Sequence, residues 1–248
     1  MQNIGENIVK KHIRYDLEII SQLIMPKSKV LDIGCGDGQL LEFLKSEKNV
    51  EGQGLEISQP LVTKTIQRGI SAIQGDGETD LEFYPNHHFD YAILGQTIQA
   101  TKNPKKMLLE MLRIARYAIV SIPNFTHYKN RLQIMFKGVM PVNENLPFTW
   151  YDTPNIHFCS IKDFENLCAE LNFKIEQKIF LTSKHKLNSL LNFNILPNFF
   201  AEYGIFLITR DEIAASTQTE FVFSDKLKQK ISLGLAAPVA QSNNYNDN

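Results

Sequence analysis

An α/β fold with a doubly wound, mostly parallel sheet is predicted by three features of the chain. Short β-branched apolar runs alternate with segments of helical period from Lys29 to Ile122. The first run, Lys29-Val-Leu-Asp-Ile33, enters the glycine-rich turn Gly34-Cys-Gly-Asp-Gly38 and emerges in a helical segment, so that unpaired helix N–H groups face outward. Glu56 closes the next extended run, 22 residues past Gly34, where βαβ units that bind nucleotides carry their ribose-binding acid.

The bulk composition narrows the class of protein. At 248 residues, 43% of them hydrophobic and 21% charged, the chain can bury one large core. A net charge of −1 provides no overall field for a nucleic-acid backbone or an anionic membrane, so neither partner is expected. Cys35, Cys159 and Cys168 form no C-x-x-C pair, and neither a zinc site nor a disulfide framework is expected. Met1 to Lys11 is polar, without an apolar signal-like stretch, and no apolar run reaches the length of a membrane span. A soluble, cytoplasmic protein is expected.

Residues 1–28 read as an N-terminal helical segment. Ile13, Leu17, Ile20 and Ile24 recur at helical spacing within Ile8 to Ile24, which stops before Pro26. It suits a lid or packing helix in front of the first strand, with core cover the simpler role. Leu40, Leu41, Phe43 and Leu44 put an apolar stripe on the helix after the glycine turn. Val50 to Ile57 is extended, Pro60 to Arg68 helical, and a third strand ends at Gln74 with Asp76 beyond it. Phe89 to Leu94 reads as strand four, Pro104 to Ala115 as a helix opened by proline, and Tyr117 to Ile122 as strand five, stopped by Pro123. From 124 to 159 the alternation breaks into an insertion rich in aromatics around Trp150, the sole tryptophan. Its place after strand five sets it over the ligand edge, as a substrate cover, a partner surface or an irregular extra core, the first two favoured because long aromatic loops beside a ligand edge are often functional. Ile161 to Leu171 is helical, Phe173 to Leu181 extended, and Tyr203 to Ile208 a last strand. The apolar stretch Leu190 to Phe200 lacks a basic face and holds Pro197, which favours core or partner contact over a membrane surface. The main domain is thus 29–210, and 211–248 is an extension with a polar, disordered end.

Which nucleotide the turn takes is decided by its glycine spacing. A dinucleotide loop needs a small residue where this chain has Gln39, so a pyrophosphate fits poorly. Gly34-x-Gly36-x-Gly38 preceded by Asp32 resembles the acidic loop of class I S-adenosylmethionine-dependent methyltransferases, which receives an amino-acid tail. The expected cofactor is S-adenosylmethionine or S-adenosylhomocysteine. The expected binding set is Asp32, Gly34, Cys35, Gly36 and Gly38 on the turn, Glu56 and Ile57 after strand two, Asp76 and Gly77 after strand three, and Gln96 after strand four. A carboxylate at Glu56 suits two adjacent ribose hydroxyls, and Asp76 suits an exocyclic amine.

Catalytic residues do not declare themselves. Methyl transfer needs alignment and sometimes a base. His127 and His157 are the candidate bases, and Gln96, Gln99 and Asn124 the candidate orienting groups. His157 lies just before the helix led by Ser160, which favours a turn role, while His127 has no evident partner. His87 and His88 read as a solvated loop. The loop Gly95-Gln-Thr-Ile98 carries neither the Asn/Asp-Pro-Pro-aromatic run of amino-methylating nucleic-acid enzymes nor a nucleophilic cysteine.

The chain resembles the methionine biosynthesis protein MetW family over Lys29 to Arg210. The resemblance is carried by Val30 to Gly38, Gly54-Leu-Glu-Ile57, Phe89 to Thr101 and Ile119 to Phe125. More diagnostic are Gly138-Val-Met-Pro-Val142 and Leu146-Pro-Phe-Thr-Trp-Tyr-Asp-Thr-Pro-Asn-Ile-His157, then Asp163-Phe164 and Leu167-Cys168. Gly77 stands where a larger residue is usual, and Gly95 where serine is common. The resemblance implies a Rossmann-like methyltransferase fold acting in methionine synthesis with homoserine O-acyltransferase as the partner it activates. It brings no methyl acceptor, so a working small-molecule methyltransferase is the alternative expectation.

Overall fold

The structure is a computed structural model and describes residues 14–143, 146–182 and 195–210. Residues 8–13 of the expected Ile8–Ile24 helix, residues 190–194 of Leu190–Phe200, and the 211–248 extension lie outside the described residues. Among the described residues seven strands form a single sheet in the order β3-β2-β1-β4-β5-β7-β6. They are β1 (Lys29–Ile33), β2 (Glu51–Glu56), β3 (Ser71–Gln74), β4 (Phe89–Gly95), β5 (Ala115–Pro123), β6 (Phe173–Leu181) and β7 (Tyr203–Arg210). The first five pair in parallel, and β7 runs antiparallel to both β5 and β6. The strand order reverses between β1 and β4, which opens a crevice at their carboxyl ends, the ligand edge of an open parallel sheet.

Burial explains why the middle strands lack an alternating pattern. β5 carries a continuous buried run from Ala118 to Pro123, because helices cover both faces of a parallel sheet. On one face α4 (Pro104–Ile114) and α6 (Ile161–Glu170) set Leu108, Met111, Leu112, Phe164 and Cys168 against Ala92, Leu94, Val120 and Phe206. On the other, α1 (Tyr15–Gln22) and α2 (Gln39–Lys48) bring Ile19, Ile20, Leu40, Leu41 and Leu44 to Val30, Ile93 and Ile119. α3 (Gln59–Gln67) covers β2 and β3.

Helix ends follow from local chemistry. Asn103 caps α4 by accepting the Lys106 N–H, and Pro104 takes the first position, where a missing N–H costs nothing. Ser160 and Asp163 form a reciprocal capping box on α6, an arrangement whose loss typically costs about 1 kcal/mol. The Lys48 ammonium at the end of α2 bonds the carbonyls of Ser21 and Ile24 and so fixes the C-terminal end of α1.

The insertion holds a helix that periodicity does not reveal, α5 (Tyr128–Lys137). Leu132, Ile134, Met135 and Phe136 are all exposed and spread around its surface instead of lining one face, so the helical period is absent from the sequence. The legible signal is Gly138, which ends the helix in the left-handed conformation at φ 64°. Its N-terminal end is anchored, with Tyr128 lying 5.7 and 5.6 Å from the rings of Phe199 and Phe200 on α7 (Ile195–Phe200).

Candidate functional site

The turn between β1 and α2 is built on backbone that glycine alone adopts without strain. Gly34, Gly36 and Gly38 have φ of 73°, 60° and 79°. A Cβ on Gly38 would stand 2.7 Å from Thr65 Cγ2, whereas one on Gly36 would meet nothing within 4 Å. Gly38 therefore allows α2 and α3 to pack, and Gly36 faces open space. Gly38→Ala is expected to cost over about 2 kcal/mol, from strain and overlap together, and Gly36→Ala about 1 kcal/mol from strain alone. Thermal melts of the two variants measure the difference.

Glu56, buried at the end of β2, reaches across to this turn. Its Oε2 accepts the Gly36 N–H at 2.9 Å and its Oε1 accepts the Ser58 N–H at 2.9 Å. Each oxygen keeps a second lone pair, so the carboxylate is pre-aimed at two adjacent donors. Asp32, on β1, is 5% exposed, and no described residue donates a hydrogen bond to its carboxylate. Burial first, and then the charge of Glu56, push its acid up to about 7, with Arg14 opposing the rise. An ionisable group buried without a donor is costly to keep and points to an absent donor.

The remaining expected residues take distinct places. Cys35 carries its thiol beneath the turn, 3.9 Å from Thr65 Oγ1, and burial pushes that thiol up to about 12, so its side chain is packing. Ile57 follows Glu56 with its side chain 66% exposed at the edge. Asp76, half-buried after β3, accepts the Glu78 N–H through Oδ1 while its own N–H donates to Asp80. Gly77 has a physical reason to be small here: a Cβ would lie 2.7 Å from Ile33 Cγ2 at the end of β1. Gln96 sits after β4 in the left-handed region at φ 53°, its N–H bonded to Ser121. Backbone held in a sparsely populated conformation is a frequent mark of a ligand edge.

Two residues that spacing does not single out join this group. Arg14 grips Asp16 through Nε and Nη2, both at 2.7 Å, and Asp16 Oδ2 accepts from Gln96 Nε2 at 3.0 Å. The N-terminal end of α1 is thus tied to the loop after β4, so the helix combines core cover with a place at the crevice. No periodicity or motif marks Arg14-x-Asp16, which is 80 residues from Gln96.

The orienting and basic candidates separate clearly. Asn124 is spent on structure, donating to the carbonyls of Asn198 and Ala201 and accepting from Thr126. His127 has a partner after all: it is buried at the N-terminal end of α5, bonded to the Phe200 backbone, and burial lowers its basicity. His157 is exposed, and its N–H donates to the Gln99 carbonyl. His87 and His88 are exposed. Gln99 is buried with Nε2 on the Gln96 carbonyl, and its Oε1 has no partner among the described residues.

The insertion presents Trp150, 73% exposed, and Phe136, 75% exposed. Val139, Met140, Val142, Trp150 and Tyr151 line a groove of about 400 Å³. Among the described residues no helix is long and apolar enough to cross a membrane.

Comparison with known proteins agrees with this architecture. Solved S-adenosylmethionine-dependent methyltransferases share the fold. One from Thermotoga maritima is 20% identical, with a TM-score of 0.54 over 79% of this chain and 87% of its own. One from Archaeoglobus fulgidus is 16% identical, with a TM-score of 0.56 over 79% and 91%. A bifunctional methionine biosynthesis protein MetXA/MetW from Rhodopirellula baltica is 36% identical over 174 residues, 66% of this chain. That stretch spans 28% of the relative's length. The family profile described as methionine biosynthesis protein MetW matches residues 14–208, from Arg14 of the crevice through most of β7. The chain therefore belongs to the MetW family of methionine biosynthesis proteins.

Proposed function

We propose that the protein holds S-adenosylmethionine, or S-adenosylhomocysteine, in the crevice and acts as the activating partner of a homoserine O-acyltransferase. The observation that carries this reading is a run of hydrogen bonds from crevice to insertion. Asp16 accepts from Gln96, the Gln96 carbonyl accepts from Gln99, and the Gln99 carbonyl accepts from the N–H groups of Ile156 and His157. Groups suited to a nucleoside are thereby tied to the segment that bears the exposed aromatics.

The residues fit the ligand. Glu56 would take the ribose hydroxyls, Asp32 the ammonium of the amino-acid tail, and Asp76 the exocyclic amine of adenine. The side chain of Ile57 offers the base an apolar face, and the open space at Gly36 admits close approach of the ligand to backbone. S-adenosylmethionine, when bound, would supply a sulfonium methyl group; the chain would contribute orientation and exclusion of water. Support for the partner comes from the Rhodopirellula relative, whose name joins MetXA and MetW in one chain. S-adenosylmethionine is made from methionine, so its arrival in the crevice is a chemically sensible feedback signal to an enzyme of methionine synthesis.

The test is the rate of a homoserine O-acyltransferase with and without this protein, across S-adenosylmethionine concentrations. The rate is expected to rise on adding the protein and to change as the ligand saturates. A rate indifferent to the protein at every ligand concentration rejects the partner role. A small-molecule methyltransferase is the second reading, favoured by Gln99 Oε1, a buried acceptor that an acceptor substrate's amine could fill.

A further inference from the structure

We infer that the apolar surface running from Met135 to Tyr151 is the docking face for the acyltransferase, an inference that rests on that enzyme being the partner. The enzyme presents to it an apolar projection flanked by carboxylates. Phe136, Trp150 and Tyr151 are 75, 73 and 68% exposed. At about 200 Å² per aromatic side chain they leave roughly 400 Å² of ring surface in water. That equals the largest apolar patch of a typical monomer, about 300–600 Å². Met135, Val139 and Met140, exposed as well, extend it toward the area of about 800 Å² that each partner gives to a stable interface.

The surface is exposed although its backbone is pinned. Asn130, buried on α5, donates to the Phe125 carbonyl at 3.1 Å, and its Oδ1 accepts from Asn143 Nδ2 at 2.8 Å. Asn143 and Leu146 exchange backbone hydrogen bonds of 2.9 and 3.1 Å. The loop after α5 is thus held back against the helix, and Val139, Met140, Val142, Trp150 and Tyr151 line the groove it makes. Ordering a chain costs conformational entropy, which apolar side chains offset by burial. Here ordering leaves them in water, so the offsetting burial comes on association.

Charge and shape select the occupant. α5 carries Lys129, Arg131 and Lys137, all exposed, and no acid. A second copy would set these cations against one another across a two-fold axis, whereas carboxylates on a different protein complement them. A bilayer also offers anions, but a flat lipid surface does not fill a groove of about 400 Å³, and a projecting helix or side-chain cluster does. The N–H groups of Ile156 and His157 bond the Gln99 carbonyl, so a partner seated here is joined through bonded backbone to the ligand edge.

Titration calorimetry of the acyltransferase against wild-type protein, Phe136→Asp and Trp150→Asp tests the docking face. Each substitution is expected to weaken binding at least about 30-fold, as removal of a central aromatic anchor does. Melting temperatures should stay within about 2 °C of wild type, because neither side chain is buried. Lys129→Glu combined with Lys137→Glu is expected to cost about tenfold and to flatten the dependence of affinity on salt. Wild-type affinity in both aromatic variants overturns the docking face. So does a wild-type dimer, or binding to phosphatidylglycerol vesicles, that Phe136→Asp abolishes while acyltransferase binding persists. A fall in melting temperature that tracks the loss of binding also overturns it, since it marks a role in folding alone. Folded wild-type protein that does not bind the acyltransferase overturns the partner reading itself, and the docking face with it.

Discussion

Asp32→Asn is expected to make the ligand-free protein more stable at pH 8 while weakening its hold on a cationic ligand. The acid of Asp32 rises from 3.8 to about 7 in the fold, chiefly because it is buried and then because Glu56 is near. A carboxyl whose folded value is raised contributes its full stability below the unfolded value. That contribution is lost as pH climbs through the folded value. The penalty therefore grows from near zero at pH 4 to a plateau above pH 7. A rise of that size corresponds to about 4 kcal/mol at 1.36 kcal/mol per pH unit, a ceiling because an asparagine amide buried in the same place also lacks partners. In a domain of this size each kcal/mol moves the melting temperature by about 2–4 °C. The variant should melt several degrees above wild type at pH 8 and level with it at pH 4. Scanning fluorimetry at the two pH values measures this, and a variant less stable than wild type at pH 8 contradicts it. Stability surrendered at one buried charge is a recurrent cost of a binding site.

Glu56→Gln is expected to lower affinity for S-adenosylmethionine at least 100-fold. Two hydroxyls on a carboxylate form two charge-assisted hydrogen bonds, each worth about 1.5–3 kcal/mol, so 100-fold is a lower bound. The amide also turns an NH2 toward one of the two N–H groups that Glu56 now satisfies, on Gly36 or on Ser58. One side of the turn is thereby released, and a small fall in melting temperature should accompany the loss of binding. Glu56→Asp gives an independent check, since a side chain one methylene shorter cannot span Gly36 and Ser58 together. Calorimetric titration of both variants should find little or no binding; retained wild-type affinity in either contradicts the ribose role.

The sequence disclosed the parts of this site that are local. Gly34-x-Gly36-x-Gly38 is readable because three left-handed residues within five strongly favour glycine, and Glu56 because a strand and a turn fix its distance along the chain. Alternation of strand and helix gave a parallel sheet. It did not give the antiparallel insertion of β7 between β5 and β6, which depends on pairings between distant segments. Arg14 and Asp16 were invisible for the same reason: their meaning comes from Gln96, far along the chain. α5 escaped because its apolar residues serve an exposed surface and carry no buried face to set a period. His127 illustrates the converse, since a lone histidine acquires its partner only when Phe200 is folded beside it.

Calorimetric titration of S-adenosylmethionine into the purified wild-type protein, repeated in the presence of the acyltransferase, puts the whole account at risk. Saturable binding of one ligand per chain, with an affinity that shifts when the acyltransferase is present, is the predicted result, because two linked sites must change each other's affinity equally. Absence of any binding heat at millimolar ligand, together with a melting temperature that the ligand leaves unmoved, would contradict it.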